Sequence, residues 1–121
     1  MTVAYWIVAA VLAVFYLYSG AIKVVRSPER LRPMMAWVDT VPLGLVRSIG
    51  VLEVLGAVGL ILPPLTGIAE GLAVAAAVGL VLIQVGGITL HLRRREFTVI
   101  GLNIVLLILA AAAVWLATIW A

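Results

Sequence analysis

The chain has 121 residues, of which 66% are hydrophobic and 11% charged, against about 25% charged residues in an ordinary soluble domain. So short a chain cannot hide that much apolar surface from water, because small domains bury the smallest share of their area, and a soluble globular domain is excluded. The formal net charge of +3 sits beside apolar segments, so anionic lipid and membrane orientation explain it and no nucleic-acid partner is expected. The absence of cysteine excludes disulfide exchange, thiolate metal sites and thiol catalysis by the chain itself.

A spanning helix needs roughly 20 mostly apolar residues, and four segments qualify, at about 3–25, 45–62, 67–90 and 97–120. The expected fold is all-α: an integral membrane four-helix transmembrane bundle, one membrane domain over residues 1–121. The first segment has no basic stretch before its apolar run and no small-residue cleavage site, so it reads as a retained span rather than a signal peptide. Tyr16, Ser19, Gly20 and Lys23 follow one another at three- and four-residue spacing there and share one helix face.

The connection from Arg26 to Gly44 is long enough for structure of its own. Ser27-Pro28-Glu29 has the capping residue, first-position proline and first-turn acid of a helix start, and Pro33 limits that helix. A short interfacial helix is expected, with Met34, Met35, Trp37 and Val38 in the interface and Arg30 and Arg32 facing headgroups. A plain linker is the alternative. Pro63-Pro64-Leu65-Thr66 reads as the tight stop between the second and third spans, and the basic run His91 to Glu96 as the connection before the fourth. Small residues recur on the spans: Gly56 and Gly59, then Gly71, Ala75 and Gly79, then Ala113 and Ala117. They suit close helix contact within the bundle, with a dimer face as the alternative.

All eight basic residues fall on one side of this topology: Lys23, Arg26, Arg30, Arg32 and Arg47 at the first connection, Arg93, Arg94 and Arg95 at the third. By the positive-inside rule both basic connections are cytoplasmic and both termini outside, in a multi-pass protein of the cell membrane. Trp6, Trp115 and Trp120 belong toward the outer interface and Trp37 toward the inner one.

Polar groups inside a membrane are expensive and ask for a reason. Glu53 is roughly 12 Å deep in the second span and Gln84 roughly 10 Å deep in the third, at about 1.5 Å per residue. Asn103 enters the fourth span to a similar depth, and Gln84, Ile88 and His91 share a face. These depths agree, so Ser19, Lys23, Glu53, Gln84, His91 and Asn103 are expected to form one cluster in the cytoplasmic half of the bundle. The Glu53 carboxylate needs a cation or donors, which Lys23, Arg47 or His91 can supply. The cluster is either a pocket with Glu53 as acid, base or anchor, or a polar staple holding thin helices in register. No metal-ligand spacing, phosphate loop or nucleophile triad appears, and no metal or cofactor is expected.

Phe15-Tyr16-Leu17-Tyr18-Ser19-Gly20-Ala21-Ile22-Lys23, Gly50 to Leu62 with Glu53 inside it, and His91 before basic residues together resemble the DoxX-like family of small four-helix bacterial membrane proteins. The resemblance covers almost the whole chain and implies Ser19, Lys23, Glu53 and His91 as the characteristic polar positions. It also implies links to membrane redox complexes and, in animal homologues, to receptor assembly. The missing cysteines set the chain apart from small four-helix quinone reductases that work through a Cys-x-x-Cys pair.

Three functions follow as expectations. The first is an accessory or binding subunit that holds a lipid, a quinone or a partner protein. The second is a membrane enzyme acting on an apolar small molecule by acid/base chemistry at Glu53, with Lys23 or His91 assisting. The third is a proton-coupled exporter. The expected partners are the bilayer, a membrane protein or a second copy of the chain, and an apolar small molecule.

Overall fold

The structure, a computed structural model, describes residues 1–121 with the exception of the Asp39 side chain. It holds four long helices, α1 (Thr2–Val25), α3 (Leu43–Thr66), α4 (Leu72–Arg93) and α5 (Phe97–Ala117), and one short helix, α2 (Pro28–Leu31). A 24-residue helix such as α1 or α3 is roughly 36 Å long at 1.5 Å per residue, enough to cross a hydrocarbon core of about 30 Å. All four long helices are apolar enough to span. In lipid every backbone amide and carbonyl must be paired within the protein, and unbroken helices meet that demand. The chain is a multi-pass membrane protein. Its outward residues, among them Val11, Val14, Ile108 and Trp115, contact the bilayer.

The helices pack in a ring, α1 on α3, α3 on α4, α4 on α5 and α5 on α1. Neighbours run antiparallel: Gly20 of α1 meets Gly50 of α3, while at the far end Tyr5 meets Leu60. All the basic residues therefore belong to one end of the bundle, called the basic end below. At the opposite end Tyr5, Trp6 and Trp120 touch edge to face at centroid distances of 5.4, 5.5 and 6.0 Å. The core between is filled largely by small side chains, including Ala9, Ala57, Ala73, Ala77, Ala110 and Ala113.

The stop expected at Pro63–Thr66 does not occur there. α3 runs through both prolines to Thr66, and the turn lies at Gly67–Gly71. Gly67 ends the helix in the left-handed region, φ 71°, with its N–H on the Pro63 carbonyl at 3.0 Å. Proline lacks the N–H that would bond the carbonyl four residues back, so Pro64 leaves the Leu60 oxygen free. The Tyr5 hydroxyl donates to that oxygen at 2.5 Å, which satisfies the group in place of the lost helix bond. The second and third spans accordingly cover 43–66 and 72–93, rather than 45–62 and 67–90.

The first connection contains the expected helix start, since α2 begins at Pro28 with Ser27 at its cap. It is folded against the bundle. A 3-10 turn over Ala36–Asp39 brings Trp37 and Val38 into an apolar cluster with Ile22, Leu31 and Val46. Trp37 and Val38 are therefore buried, not interfacial, while Met34 is exposed. Burial against α1 and α3 removes their surface from lipid headgroups and water alike.

Small residues divide by position. A Cβ on Gly20 would lie 2.6 Å from the Gly50 carbonyl oxygen, and one on Gly56 2.8 Å from the Leu80 side chain. Ala113 and Ala117 are buried in the core. These are contacts within the bundle. The Gly71, Ala75 and Gly79 stripe is not: a Cβ on Gly71 or Gly79 would meet nothing within 4 Å, and the buried face of α4 is Ala73, Ala77, Leu80 and Gln84.

Candidate functional site: an intramembrane ion pair beside a cavity

The crossing of Gly20 over Gly50 brings α1 and α3 into backbone contact. One turn further along α1 stands Lys23, and three residues along α3 stands Glu53, both buried. They form an ion pair through Lys23 Nζ and Glu53 Oε1. Ser19 completes a triangle, accepting from Lys23 Nζ at 2.8 Å and donating to Glu53 Oε2 at 3.2 Å. Both oxygens of a carboxylate only 1% exposed are thus engaged. A buried ion pair repays its desolvation only with such added hydrogen bonds. The Trp37 ring lies over the ammonium, 5.8 Å from Nζ to the ring centroid, close enough for cation–π attraction.

Beside this triangle the helices part around a cavity of about 480 Å³, within the range of small-molecule sites. Ser19, Lys23, Glu53, Gln84, His91 and Asn103 all line it. The rest of the wall is mostly apolar, from Phe15 on α1, Ile49 on α3, Leu82 and Leu90 on α4 and Leu102 and Leu106 on α5. Met34, Met35 and Trp37 of the first connection close one side.

These six side chains line one cavity without forming one bonded network. Arg47 is outside it: its Nη1 donates to the carbonyls of Lys23 at 2.7 Å and Arg26 at 2.5 Å. These are orphan acceptors at the C-terminus of α1, and a cation there also meets the negative end of the helix dipole. His91 turns to Glu96, Nδ1 to Oε1 at 3.0 Å, and Arg94 reaches the same oxygen at 2.9 Å. Although partial burial opposes it, the hydrogen bonds from His91 and Arg94 and their charge hold the Glu96 carboxyl below its ordinary range. Arg94 also donates to Thr40 Oγ1 at 2.9 Å, tying the third connection to the first at the cavity's basic end.

Gln84 crosses the bundle to α1, where its Nε2 meets the Tyr16 hydroxyl. Its Oε1 is buried without a partner among the described residues, and so is Nδ2 of Asn103. Tyr16, Thr40 and Glu96 are participants that sequence reasoning did not assign to the cluster. Only Tyr16 carried a signal, its three-residue spacing from Ser19. No group of three His, Cys, Asp or Glu side chains suited to a metal gathers among the described residues.

Comparison with curated proteins and with solved structures gives no match in either case. The sequence pattern of the DoxX-like family matches residues 7–113, a stretch that runs from the first span into the fourth and includes every residue of the triangle and every polar side chain of the cavity; the chain belongs to the DoxX-like family.

Proposed function

We propose that this chain is a membrane-embedded binding protein, an accessory subunit whose cavity holds a small, largely apolar molecule. One observation carries the reading: an apolar space of about 480 Å³ lies among four spans, beside polar groups that the helices themselves do not all satisfy. A purely structural staple would pair its amides and leave no such space, since protein interiors are close-packed. A lipid, a quinone or an apolar segment of a partner are the classes of occupant that suit a wall of this composition. Both oxygens of Glu53 are already bonded, which weighs proton transfer by Glu53 and proton-coupled export behind simple binding.

The basic end is assigned to the cytoplasm by the positive-inside rule, with both termini outside and the cell membrane as the site. The cavity then opens in the inner half of the bilayer.

Filling the cavity tests the reading. Gly86 and Gly87 line it, and a Cβ on either meets nothing within 4 Å, so Gly87→Leu adds bulk without a backbone clash. Wild-type chain released into mild detergent is expected to retain an organic molecule detectable by native mass spectrometry, and Gly87→Leu to lose it. Equal occupancy in both, or none in either, would refute the binding role.

A further inference from the structure

The first connection does more than join α1 to α3. Met34, Met35, Trp37 and Val41 belong to the cavity wall, so residues 34–41 lie across its basic end as a strap. The two edges of this strap are held differently. Toward α1 and α3 it is rooted, with Trp37 and Val38 buried among Ile22, Leu31 and Val46. The helices beneath that root are joined without its help, by the Gly20–Gly50 contact, the Lys23–Glu53 pair and the Arg47 guanidinium on the carbonyls of Lys23 and Arg26. Toward α4 the strap meets Leu90, which packs on the same cluster, and Arg94, whose Nη1 donates to Thr40 Oγ1 at 2.9 Å in an exposed bond. An exposed hydrogen bond is made in competition with water and contributes little net free energy. This edge is therefore the one that local opening reaches first.

The same bond is one link of a chain around the mouth. His91 Nδ1 and Arg94 Nε both meet Glu96 Oε1, so the carboxylate that fixes the histidine also aims the arginine. Thr40 in turn donates to the Trp37 carbonyl at 3.0 Å, and the Trp37 ring covers the Lys23 ammonium. The chain thus begins and ends on residues of the cavity wall, His91 on α4 and Lys23 on α1. Arg94 on Thr40 is where it passes from the turn after α4 to the strap.

We propose that residues 34–41 are a gate over the basic end of the cavity, latched by Arg94 on Thr40 and opened by release of that bond while the four spans stay packed. The gate concerns access, goes beyond the binding role, and does not depend on which molecule the cavity takes.

The experiment is thiol labelling in proteoliposomes, with a small cationic methanethiosulfonate on both faces and the product followed by mass spectrometry. The chain has no cysteine, so a single reporter is unambiguous. Gly87→Cys places it in the cavity wall, where a Cβ meets nothing within 4 Å. Arg94→Gln and Thr40→Val are each expected to speed its labelling about three- to tenfold, the range of one exposed hydrogen bond. Combined, they should do no more than either alone, because they remove the same bond. Thr40→Ser keeps the hydroxyl and should label at the wild-type rate. A second reporter, Ala77→Cys on the buried face of α4, should stay unreactive in every background. Labelling of Gly87→Cys that ignores Arg94→Gln and Thr40→Val would overturn the gate. Acceleration of both reporters together would also overturn it, since the whole bundle would then have loosened. Neither result bears on the binding role, which the occupancy of Gly87→Leu decides.

Discussion

The two ends of the α1–α3 pair solve the same problem differently. At the end opposite the basic residues, one hydroxyl on one carbonyl, Tyr5 on Leu60, accompanies a core of alanines, leucines and edge-packed rings. At the basic end the backbones touch at Gly20 and Gly50, a buried ion pair follows, and the bundle then opens. Helices in lipid gain little from apolar association, so contact area and hydrogen bonds must hold them together. The filled end relies on contact area. The basic end relies on a few directed polar bonds, and these can stabilise a bundle that is not filled.

The largest effect should come from splitting the pair. Glu53→Leu strands the Lys23 ammonium and is expected to cost about 3–5 kcal/mol, whereas Glu53→Leu with Lys23→Met should recover most of it. Thermal unfolding in a fixed detergent would measure both, and a double variant as unstable as the single one would mean that the pair is not the unit of stability. The backbone contact comes next. Gly50→Ala sets a methyl carbon 2.7 Å from the Gly20 oxygen and 2.8 Å from Lys23 Cβ, a clash expected to cost about 1–3 kcal/mol. Gly79→Ala, which meets nothing within 4 Å, is the control and should stay within about 0.5 kcal/mol of wild type. At the filled end, Tyr5→Phe removes the donor that serves the Leu60 carbonyl, and a loss of about 0.6–2 kcal/mol is expected, the range for hydrogen bonds between membrane helices.

The smallest effect concerns the latch between the connections. The Glu96 carboxyl is held below its ordinary value of 4.5, so the unfolded chain takes up this proton first as pH falls. Its contribution is full above about pH 4.5 and disappears as pH drops through the lowered folded value. Unfolding followed against pH should show that loss in wild type and not in Glu96→Gln. An identical profile in the variant would assign the acid sensitivity to other carboxyls. Orientation has its own check, because the chain has no cysteine: single cysteines replacing Thr2 and Arg95 should differ in labelling by an impermeant maleimide on intact cells, with Thr2 the labelled one.

Much of the fold is legible in order. Four apolar stretches appear as four long helices, and the one-sided basic residues appear at one end. The stripe from Tyr16 to Lys23 is the buried face of α1, because three- and four-residue spacing is a property of the helix itself. The double proline misleads for an instructive reason. Proline usually ends a helix through its missing N–H, but the vacant carbonyl can be served from elsewhere, here by a tyrosine 55 positions away. No local pattern announces that. The partners of Arg47 and His91 were equally hidden, since each lay within plausible reach of Glu53 by depth alone.

Composition by itself determined the solvent, the helical class and the number of spans, because in a bilayer only internally bonded segments of sufficient length survive. It also determined which side chains lie at one depth, since rise per residue converts position into height. Which of those side chains touch was left to the tertiary structure. Rotation of each helix about its axis and the close approach at Gly20 and Gly50 chose Lys23 for Glu53, Glu96 for His91 and the end of α1 for Arg47. Depth is a one-dimensional quantity, and a bonded site in a ring of helices also requires the angle at which each face is turned.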